Sequence, residues 1–242
     1  MKEAQITICS YDVLPNGHVK PSALQRYFQQ IALEDIAAVG ATYQAMRSHS
    51  MVFVITKLRM DFFRDILSGD QLVLRTFPYK IEGVTYFRAF ELYKNGELVC
   101  NADSRWVLIN YVKRTILRPS ELPFEIPASQ PSSQMLPIPR RIGQTAVEKT
   151  VDRTVLLTEV DENHHLNNCY YADYLLDHAP ADILAHPIGT MCILFDHEAY
   201  LGDALELRFQ TVDEGFSATV WNKTAGKNCF QAFFALDFSR KI

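Results

Sequence analysis

The sequence predicts an α+β fold made of two tandem units, in each of which an antiparallel sheet wraps around a long helix. Two motifs occur twice in the same order, which indicates a duplication. The pattern Gly-Asp-x-Leu-x-Leu-Arg at 69–75 returns at 202–208, an offset of 133 residues. The motif Asn-Gly-His-Val at 16–19 returns as Asn-His-His-Leu at 163–166, an offset of 147. Connections of unequal length between helix and strands would account for the difference between the offsets.

The first unit begins with a short strand at residues 5–9 and continues into a helix. Pro21 suits the first turn of a helix, because the N–H that proline lacks has no partner there. Apolar residues then recur at helical spacing up to a closing glycine: Leu24, Tyr27, Phe28, Ile31, Ala32 and Gly40. Segments rich in Val, Ile, Phe and Tyr predict strands at 51–63, 70–80, 84–94 and 97–111. Asn95-Gly96, between the last two strands, is typical of a two-residue hairpin turn.

The second unit repeats this order. A strand is predicted at 151–158, and Asn167 or Asn168 can cap a helix over about 169–179, which Pro180 follows. We expect this helix to bury one face: Tyr170, Tyr171, Tyr174 and Leu175. Further strands are predicted at 190–199, 203–212, 216–223 and 228–239.

A proline-rich segment separates the two units. Six prolines lie between residues 118 and 140, and serine and glutamine are frequent among them. Such a composition favours an extended linker on the surface. The predicted organisation is therefore an N-terminal unit at 1–117, a linker at 118–145 and a C-terminal unit at 146–242.

Composition excludes several classes of protein. The chain is 48% hydrophobic, which is enough for a substantial core, and its net charge of −4 is unlike that of a general nucleic-acid binder. No apolar stretch approaches the roughly 20 residues needed to span a bilayer. Residues 1–5 carry an acid and no apolar stretch, so they resemble neither a signal nor a transit peptide. We therefore expect a cytoplasmic protein.

The five cysteines lie in or beside apolar segments and have no metal-ligand spacing, so we expect structural thiols. Cys169 is the exception that could be functional, because it borders the polar motif described next. No nucleotide motif occurs either, and neither a metal nor a cofactor is predicted.

Polar groups are dense just before the second helix. In an extended chain, Asn163 and His165 would point to the same side, and Asp161 would share that face. Histidine exchanges protons near neutral pH, and backbone N–H groups at the helix start could stabilise an oxyanion. A capped helix after a polar loop is the alternative. For the three residues together we favour a functional site.

A carboxylate is expected from another segment. Asp196-His197-Glu198 lies within the apolar strand predicted at 190–199, where an acid costs free energy unless it is paired or serves a site. Strand alternation would place Asp196 and Glu198 on one face and His197 on the other. The alternative is a solvated strand edge.

These motifs resemble those of the acyl-acyl carrier protein thioesterases of plants and bacteria. The family shows Asp-x-Asn-x-His-Val-Asn-Asn-x-x-Tyr before its second helix, which matches 161–171 with Leu166 in place of valine. Its aromatic-x-x-Glu context one strand later matches 195–198. Supporting similarities lie in the first unit: Asn16 to Val19, Ser104 to Ile109, Lys113-Arg114 and Arg118-Pro119. The resemblance covers nearly the whole chain and implies two hotdog units paired sheet edge to sheet edge.

The resemblance also implies hydrolysis of the thioester that joins a fatty acyl chain to the phosphopantetheine arm of acyl carrier protein. It assigns catalysis to four residues: Asp161, Asn163, His165 and Glu198. Glu198 would activate water as a general base or attack directly to form an acyl anhydride. Some members carry a cysteine directly after the matching glutamate, but Ala199 stands there in this chain. His164 and His197 are treated as bystanders.

The first unit keeps part of the motif. Asn16 and His18 are present, but Leu14 occupies the position of Asp161, and Asp65 matches Glu198 at the offset of 133. A residual second site is possible on these residues. The resemblance instead implies that this unit supplies the tunnel for the acyl chain.

Acyl carrier protein is strongly acidic, so a basic docking patch is expected. Residues 101–150 hold seven Lys/Arg and four Asp/Glu in a chain of negative net charge. The candidates are Lys113, Arg114, Arg118, Arg140 and Arg141, and a solvated surface is the alternative. Two rival functions stay open, an acyl-coenzyme A thioesterase and a non-catalytic acyl-binding module. A homodimer is also possible.

Overall fold

A computed structural model describes residues 1–143, 146–181 and 185–240. Within them the first half contains a long helix, a short helix and six strands. In chain order these are β1 (Lys2–Thr7), α1 (Pro21–Ala37), α2 (Tyr43–Ser48), β2 (Met51–Phe62), β3 (Gln71–Glu82), β4 (Thr85–Lys94), β5 (Glu97–Asn110) and β6 (Thr115–Ile116). Asn95 and Gly96 both have positive φ, 51° and 82°, which confirms the predicted hairpin turn between β4 and β5. The first strand begins and ends slightly earlier than expected.

The second half follows the same plan with a shorter helix. Its elements are β7 (Lys149–Thr154), α3 (Tyr170–Leu176), β8 (Ile188–Phe195), β9 (Ala204–Val212), β10 (Gly215–Asn222) and β11 (Lys227–Leu236). The strand predicted at 151–158 ends at Thr154 and is followed by a 3₁₀ turn at Leu157–Glu159. The helix predicted over 169–179 has only the seven residues of α3, so the expectation of a long helix holds for α1 alone.

All eleven strands of the described residues form one sheet. Its order is β1-β3-β4-β5-β2-β8-β11-β10-β9-β7, with β6 paired to β5. The halves meet where β2 runs antiparallel to β8, from Lys57 opposite Leu194 to Asp61 opposite Thr190. This pairing confirms the expectation that two units join edge to edge within one chain.

The hydrogen bonds repeat between the halves at the two offsets seen in the sequence. The backbone N–H of Leu14 donates to the His18 carbonyl, as that of Asp161 donates to the His165 carbonyl, at 2.8 and 2.9 Å. Further along, the N–H of Leu67 donates to Asp70 as that of Tyr200 donates to Asp203, each at 2.9 Å. The first pair is related by 147 residues and the second by 133, so the inferred duplication is confirmed in the fold.

Helices α1 and α3 pack their apolar faces onto the same side of the sheet. Helix α1 buries Leu24, Phe28 and Ile31, and the ring of Phe28 stacks on that of Phe90 in β4 at 4.5 Å. In α3, the expected Tyr171, Tyr174 and Leu175 are buried, whereas Tyr170 is only half-buried. One hydrophobic cluster includes residues from both halves, so the core runs across the β2–β8 junction. No helix of the described ranges is long and apolar enough to cross a membrane.

The proline-rich segment crosses the other face of the sheet. The side chains of Lys57 and Arg59 alternate along β2 with core residues and therefore point away from the helices. They donate to the backbone carbonyls of Pro139 and Pro137, each at 3.0 Å. These contacts agree with a linker lying along the surface, but residues 144 and 145 of the predicted span lie outside the described residues.

Candidate active site

The polar motif before α3 forms a tight turn. The N–H of Asp161 donates to the carbonyl of His165, and that of His164 donates to the carbonyl of Asp161, each at 2.9 Å. His164 closes the turn with a φ of 66°, a value uncommon outside glycine. The expectation that Asp161, Asn163 and His165 share one face of an extended chain is therefore wrong.

The side chain of Asp161 folds back onto this turn. Its Oδ1 accepts a hydrogen bond at 2.8 Å from the backbone N–H of Asn163. This is the local bond that makes aspartate common at the start of turns. Asp161 therefore holds Asn163 in place, which agrees with the orienting role implied by the family resemblance.

Glu198 lies beyond the end of β8 rather than inside a strand. The strand ends at Phe195 because the next two N–H groups, of Asp196 and His197, both donate to the carbonyl of Cys229. The carboxylate of Asp196 bonds to Asn228 and Gln231 on β11. The predicted strand alternation of Asp196, His197 and Glu198 is therefore wrong. Glu198 projects from a loop instead.

The loop places Glu198 next to His165. Nε2 of His165 lies 3.6 Å from Oε2 of Glu198, and the two side chains are 31% and 43% exposed. His165 pairs through its backbone with Tyr200, an isolated β-bridge that ties the turn to the loop. The predicted histidine and carboxylate are thus brought together, with enough exposure for a substrate to reach them.

Tyr200 is a third member of this cluster, and sequence reasoning missed it. Its hydroxyl donates to Oε2 of Glu198 at 2.9 Å, and its ring meets that of His165 edge to face at 5.0 Å. Burial, followed by the hydrogen bond and charge of Glu198, raises the pKa of Tyr200, while nearby Arg114 opposes this shift. Tyr200 therefore keeps its proton at neutral pH and acts as a donor to the carboxylate. The available signal was its position two residues after Glu198.

Asn163 contacts the first half of the chain. Its Oδ1 accepts a hydrogen bond at 3.3 Å from Nη2 of Arg47 in α2. Arg47 also donates to the hydroxyl of Tyr43, at 2.9 and 3.1 Å, and lies over the ring of Tyr111 at 4.6 Å. Nothing in the sequence pointed to Arg47, because it is 116 positions from Asn163.

The start of α3 is less open to an oxyanion than expected. The N–H of Cys169 donates to Oδ1 of Asn167 at 3.0 Å, and that of Tyr170 donates to the Asn167 carbonyl at 3.0 Å. Asn167 therefore binds the N–H just before the helix, but the N-cap residue is Cys169, which makes no side-chain capping hydrogen bond, so the expected cap by Asn167 or Asn168 is not formed. Because both N–H groups already donate hydrogen bonds within the chain, they are not available to an oxyanion.

Cys169 is a structural thiol. The side chain is fully buried, with Sγ 3.7 Å from Oε1 of Gln29 on α1. Burial raises the pKa of the Cys169 thiol to about 12, so it stays protonated and unreactive near neutral pH. Together with Ala199 in the family's cysteine position, this argues against a cysteine nucleophile.

The first half presents a counterpart of the site with different partners. Nδ1 of His18 lies 3.9 Å from Oδ1 of Asp65, in place of His165 and Glu198. The same oxygen accepts a hydrogen bond at 3.0 Å from Nη1 of Arg240. Together with Asn16 these residues line a cavity of about 30 Å³, far too small for an acyl chain. Arg240 already binds the Asp65 carboxylate, which a catalytic site would need to keep accessible. This disfavours a second active site.

The five basic candidates do not form one patch. All are exposed: Lys113, Arg114, Arg118, Arg140 and Arg141. The first two lie on the turn between β5 and β6, where Arg114 reaches Tyr200 of the site. Arg140 lies beside Lys57, whose pKa is lowered by burial and by Arg105 and Arg140. Arg105, which also lies near Lys57, is five residues before the end of β5, roughly 17 Å along the strand from that turn. Arg140 is therefore separated from Lys113 and Arg114.

Family models match both halves of the chain. The model of the acyl-ACP thioesterase N-terminal domain matches residues 2–126, and that of the acyl-ACP thioesterase C-terminal domain matches residues 143–232.

Two plant proteins illustrate the sequence likeness. The chain is 21% identical to an oleoyl-acyl carrier protein thioesterase of Arabidopsis thaliana, over 97% of the chain and 71% of the plant protein. It is 24% identical to a palmitoyl-acyl carrier protein thioesterase of Gossypium hirsutum, over 79% of the chain and 50% of the plant protein. The chain therefore matches about half to seven tenths of the length of these relatives.

Solved structures share the fold along the whole chain. An acyl-ACP thioesterase from Bacteroides thetaiotaomicron superimposes with a TM-score of 0.86 at 17% identity, over 98% of this chain and 97% of the other. The 12:0-ACP thioesterase from Umbellularia californica gives 0.79 at 16% identity, over 98% and 96%. With both domain models matched in order on this architecture, the chain belongs to the acyl-ACP thioesterase family of thioester hydrolases and has the double hotdog fold.

Proposed function

We propose that the protein releases free fatty acid from acyl-acyl carrier protein and so ends chain elongation in fatty acid synthesis. The observation that carries this proposal is the cluster of His165, Glu198 and Tyr200, joined by the 161–165 turn to Asn163. It sets an exposed carboxylate beside a histidine in a chain of the thioesterase family. A protein that only binds acyl chains would have no use for a carboxylate beside the thioester.

Glu198 activates the nucleophile in this scheme. The two contacts described for its carboxylate, with the hydroxyl of Tyr200 and with Nε2 of His165, are both made by Oε2. As a general base, Glu198 takes a proton from water while the water oxygen attacks the thioester carbonyl. Collapse of the tetrahedral intermediate breaks the C–S bond, and the thiolate of the carrier leaves and takes up a proton.

Direct attack by Glu198 is the second route. Its oxygen bonds to the carbonyl carbon, the thiolate leaves, and the acyl anhydride is then hydrolysed by water. Hydroxylamine added during turnover separates the routes. A hydroxamate on Glu198, detected by peptide mass spectrometry, indicates the anhydride, whereas an unmodified Glu198 supports the general base.

The remaining residues position and polarise the substrate. Asn163 and His165 donate hydrogen bonds to the developing oxyanion, and Asp161 fixes the turn that presents them. His165 meets Glu198 at a distance longer than a hydrogen bond, which leaves its Nε2 available to the substrate.

The two halves divide the work. The C-terminal hotdog at 146–242 supplies the four catalytic side chains, and the N-terminal hotdog at 1–117 holds the acyl chain beneath α1. The linker at 118–145 ties them together. The stacked rings of Phe28 and Phe90 lie under α1, where they would limit the depth open to the acyl chain. Replacing Phe90 with leucine is expected to move the preferred chain length upward on a panel of substrates.

Docking of the acidic carrier relies chiefly on Lys113 and Arg114, at the rim of the site. Arg118 follows on the same segment, and Arg140 and Arg141 extend the positive field over the sheet. Charge reversal at Lys113 should raise KM for the carrier substrate and weaken its dependence on salt.

The cellular setting and assembly belong to the same proposal. The five cysteines are free thiols, as is usual in the reducing cytoplasm. The sheet ends in β1 and β7, whose free edges suit contact with a second chain. Light scattering should then give about 55 kDa, twice the chain mass of 27.7 kDa.

The test is fatty acid release from acyl carrier protein thioesters and from the matching coenzyme A thioesters, with wild type and Glu198→Ala. Release from the carrier that collapses in the variant supports the proposal. Equal or better turnover of coenzyme A esters keeps the chemistry but assigns it to the other carrier. If neither substrate is hydrolysed, an acyl-binding module becomes the better account.

A further inference from the structure

Helix α2 is capped at its start and anchored in the first half of the chain. Thr42 caps it, since its Oγ1 accepts a hydrogen bond at 3.2 Å from the N–H of Ala45. Met46 anchors the helix in a second hydrophobic cluster with Tyr86 and Leu108. The next residue, Arg47, is therefore presented from a fixed backbone.

The guanidinium of Arg47 is held on several sides. The Tyr43 hydroxyl accepts from Nε and Nη2, and the Tyr111 ring lies 4.6 Å below the guanidinium carbon. The Tyr111 hydroxyl donates to the Arg47 carbonyl at 3.4 Å. Nη2 has two hydrogens, so it can serve Tyr43 and still donate to Oδ1 of Asn163 at 3.3 Å.

This contact decides which way the Asn163 amide faces. A guanidinium carries donors and no acceptor, so only the oxygen of the amide can meet it. The Nδ2 hydrogens must then point away from Arg47. The backbone N–H of Asn163 is fixed at the same time by Asp161.

We propose that Arg47 is a positioning residue for catalysis, which turns the Nδ2 hydrogens of Asn163 toward the thioester carbonyl. The inference rests on the proposed function, because it requires Asn163 to contact the reacting group. The positive charge of the Arg47 guanidinium, next to Oδ1, also draws electron density from the amide and makes Nδ2 a stronger hydrogen-bond donor. The N-terminal half thus contributes to the reaction itself as well as to acyl binding.

The experiment compares Arg47→Met with Arg26→Met on acyl carrier protein thioesters. Arg26 is the matched control, because it also joins the halves, through Asp173 at 3.4 Å and over the ring of Tyr170 at 5.6 Å, without touching the turn. We expect Arg47→Met to lower kcat roughly 10- to 100-fold, less than loss of a whole oxyanion donor, with KM changed less than about threefold. Arg26→Met should keep kcat within about twofold.

A double-mutant cycle identifies the path of the effect. In the Asn163→Ala background, measured by single turnover with excess enzyme, Arg47→Met should cause no further loss. Losses that multiply would show that Arg47 acts independently of Asn163 and would overturn the proposal. A change confined to KM, or an equal loss of kcat in Arg26→Met, would also overturn it. Glu198→Ala in the same assay keeps the two proposals apart, because an active Glu198→Ala would contradict the proposed function instead.

Discussion

The turns at 14–18 and 161–165 share their backbone hydrogen bonds and differ in their chemistry. Each is closed by a residue with positive φ, Gly17 at 85° and His164 at 66°, and each pairs its histidine with a loop that follows a central strand. One turn leads to Glu198, which accepts from an uncharged tyrosine. The other leads to Asp65, which is bound by Arg240.

The backbone of the turn is therefore the same in both halves, while the partner of the carboxylate differs. In each half, an arginine that follows the last long strand reaches the turn and loop of the other half. Arg240 follows β11 and binds the Asp65 carboxylate, and two carbonyls hold its Nη2 at 3.2 and 3.3 Å. Arg114 follows β5 and acts on Tyr200. Oδ1 of Asp65 thus accepts from a charged donor, whereas Oε2 of Glu198 accepts from the uncharged hydroxyl of Tyr200.

Replacing the two histidines should give very different losses of activity. His165→Ala should lower kcat by about 10²- to 10³-fold, because it removes a side chain that faces both the carboxylate and the substrate. His18→Ala should keep kcat within about twofold. Steady-state kinetics on one acyl carrier protein thioester measures both variants. Comparable losses would mean that the first turn also takes part in catalysis.

Tyr200→Phe should have a moderate effect. The variant loses the hydrogen bond to Glu198 and keeps the ring against His165, at a cost of about 1 kcal/mol, or roughly fivefold in kcat. Tyr200→Leu copies Leu67, its counterpart in the first half, and should lose more because the ring contact is lost as well. The claim that the hydroxyl positions Glu198 fails if Tyr200→Phe has the kcat of wild type.

Arg240→Met should affect stability rather than activity. It removes the hydrogen bonds to Asp65, to Asp237 and to two backbone carbonyls, so thermal unfolding should occur roughly 3–8 °C lower. Arg64→Met breaks an exposed ion pair with Glu97 and an exposed hydrogen bond to the carbonyl of Phe63, and serves as the control, with a shift of about 1 °C or less. Calorimetry measures both. An unchanged Tm in Arg240→Met would show that these contacts of Arg240 do not stabilise the fold.

The smallest effect is expected at the residues that close the turns. His164→Gly relieves a left-handed conformation and should raise the free energy of unfolding by up to about 1 kcal/mol, with kcat nearly unchanged. Gly17→Ala imposes the opposite strain and should lower it by about 1 kcal/mol. Urea denaturation measures both. A tenfold loss of kcat in His164→Gly would show that His164 is more than a bystander.

Much of the fold could be predicted because its signals are local or repeated. Strand patterns, Pro21 at a helix start and the Asn95-Gly96 turn each depend on neighbouring residues. The shape of the site depended on distant contacts. The loop after Phe195 begins where two N–H groups turn to the Cys229 carbonyl, which strand periodicity does not reveal.

Local signals also identified some residues of the site, whereas residues that depend on distant contacts were missed. His165 and Glu198 belong to motifs that could be matched in the sequence, and the structure brings them together. The contact of Arg47 with Asn163 joins residues of different halves and has no sequence pattern. The turn itself is not evident from the sequence, because its residue with positive φ is a histidine rather than a glycine.

The most direct experiment replaces the two matched carboxylates with amides, Glu198→Gln and Asp65→Asn, and measures single-turnover release of fatty acid from acyl carrier protein. We predict a loss of at least about 10³-fold for Glu198→Gln and less than about twofold for Asp65→Asn. Retained release in Glu198→Gln, or an equal loss in both variants, would contradict the assignment of catalysis to the second of the two turns alone.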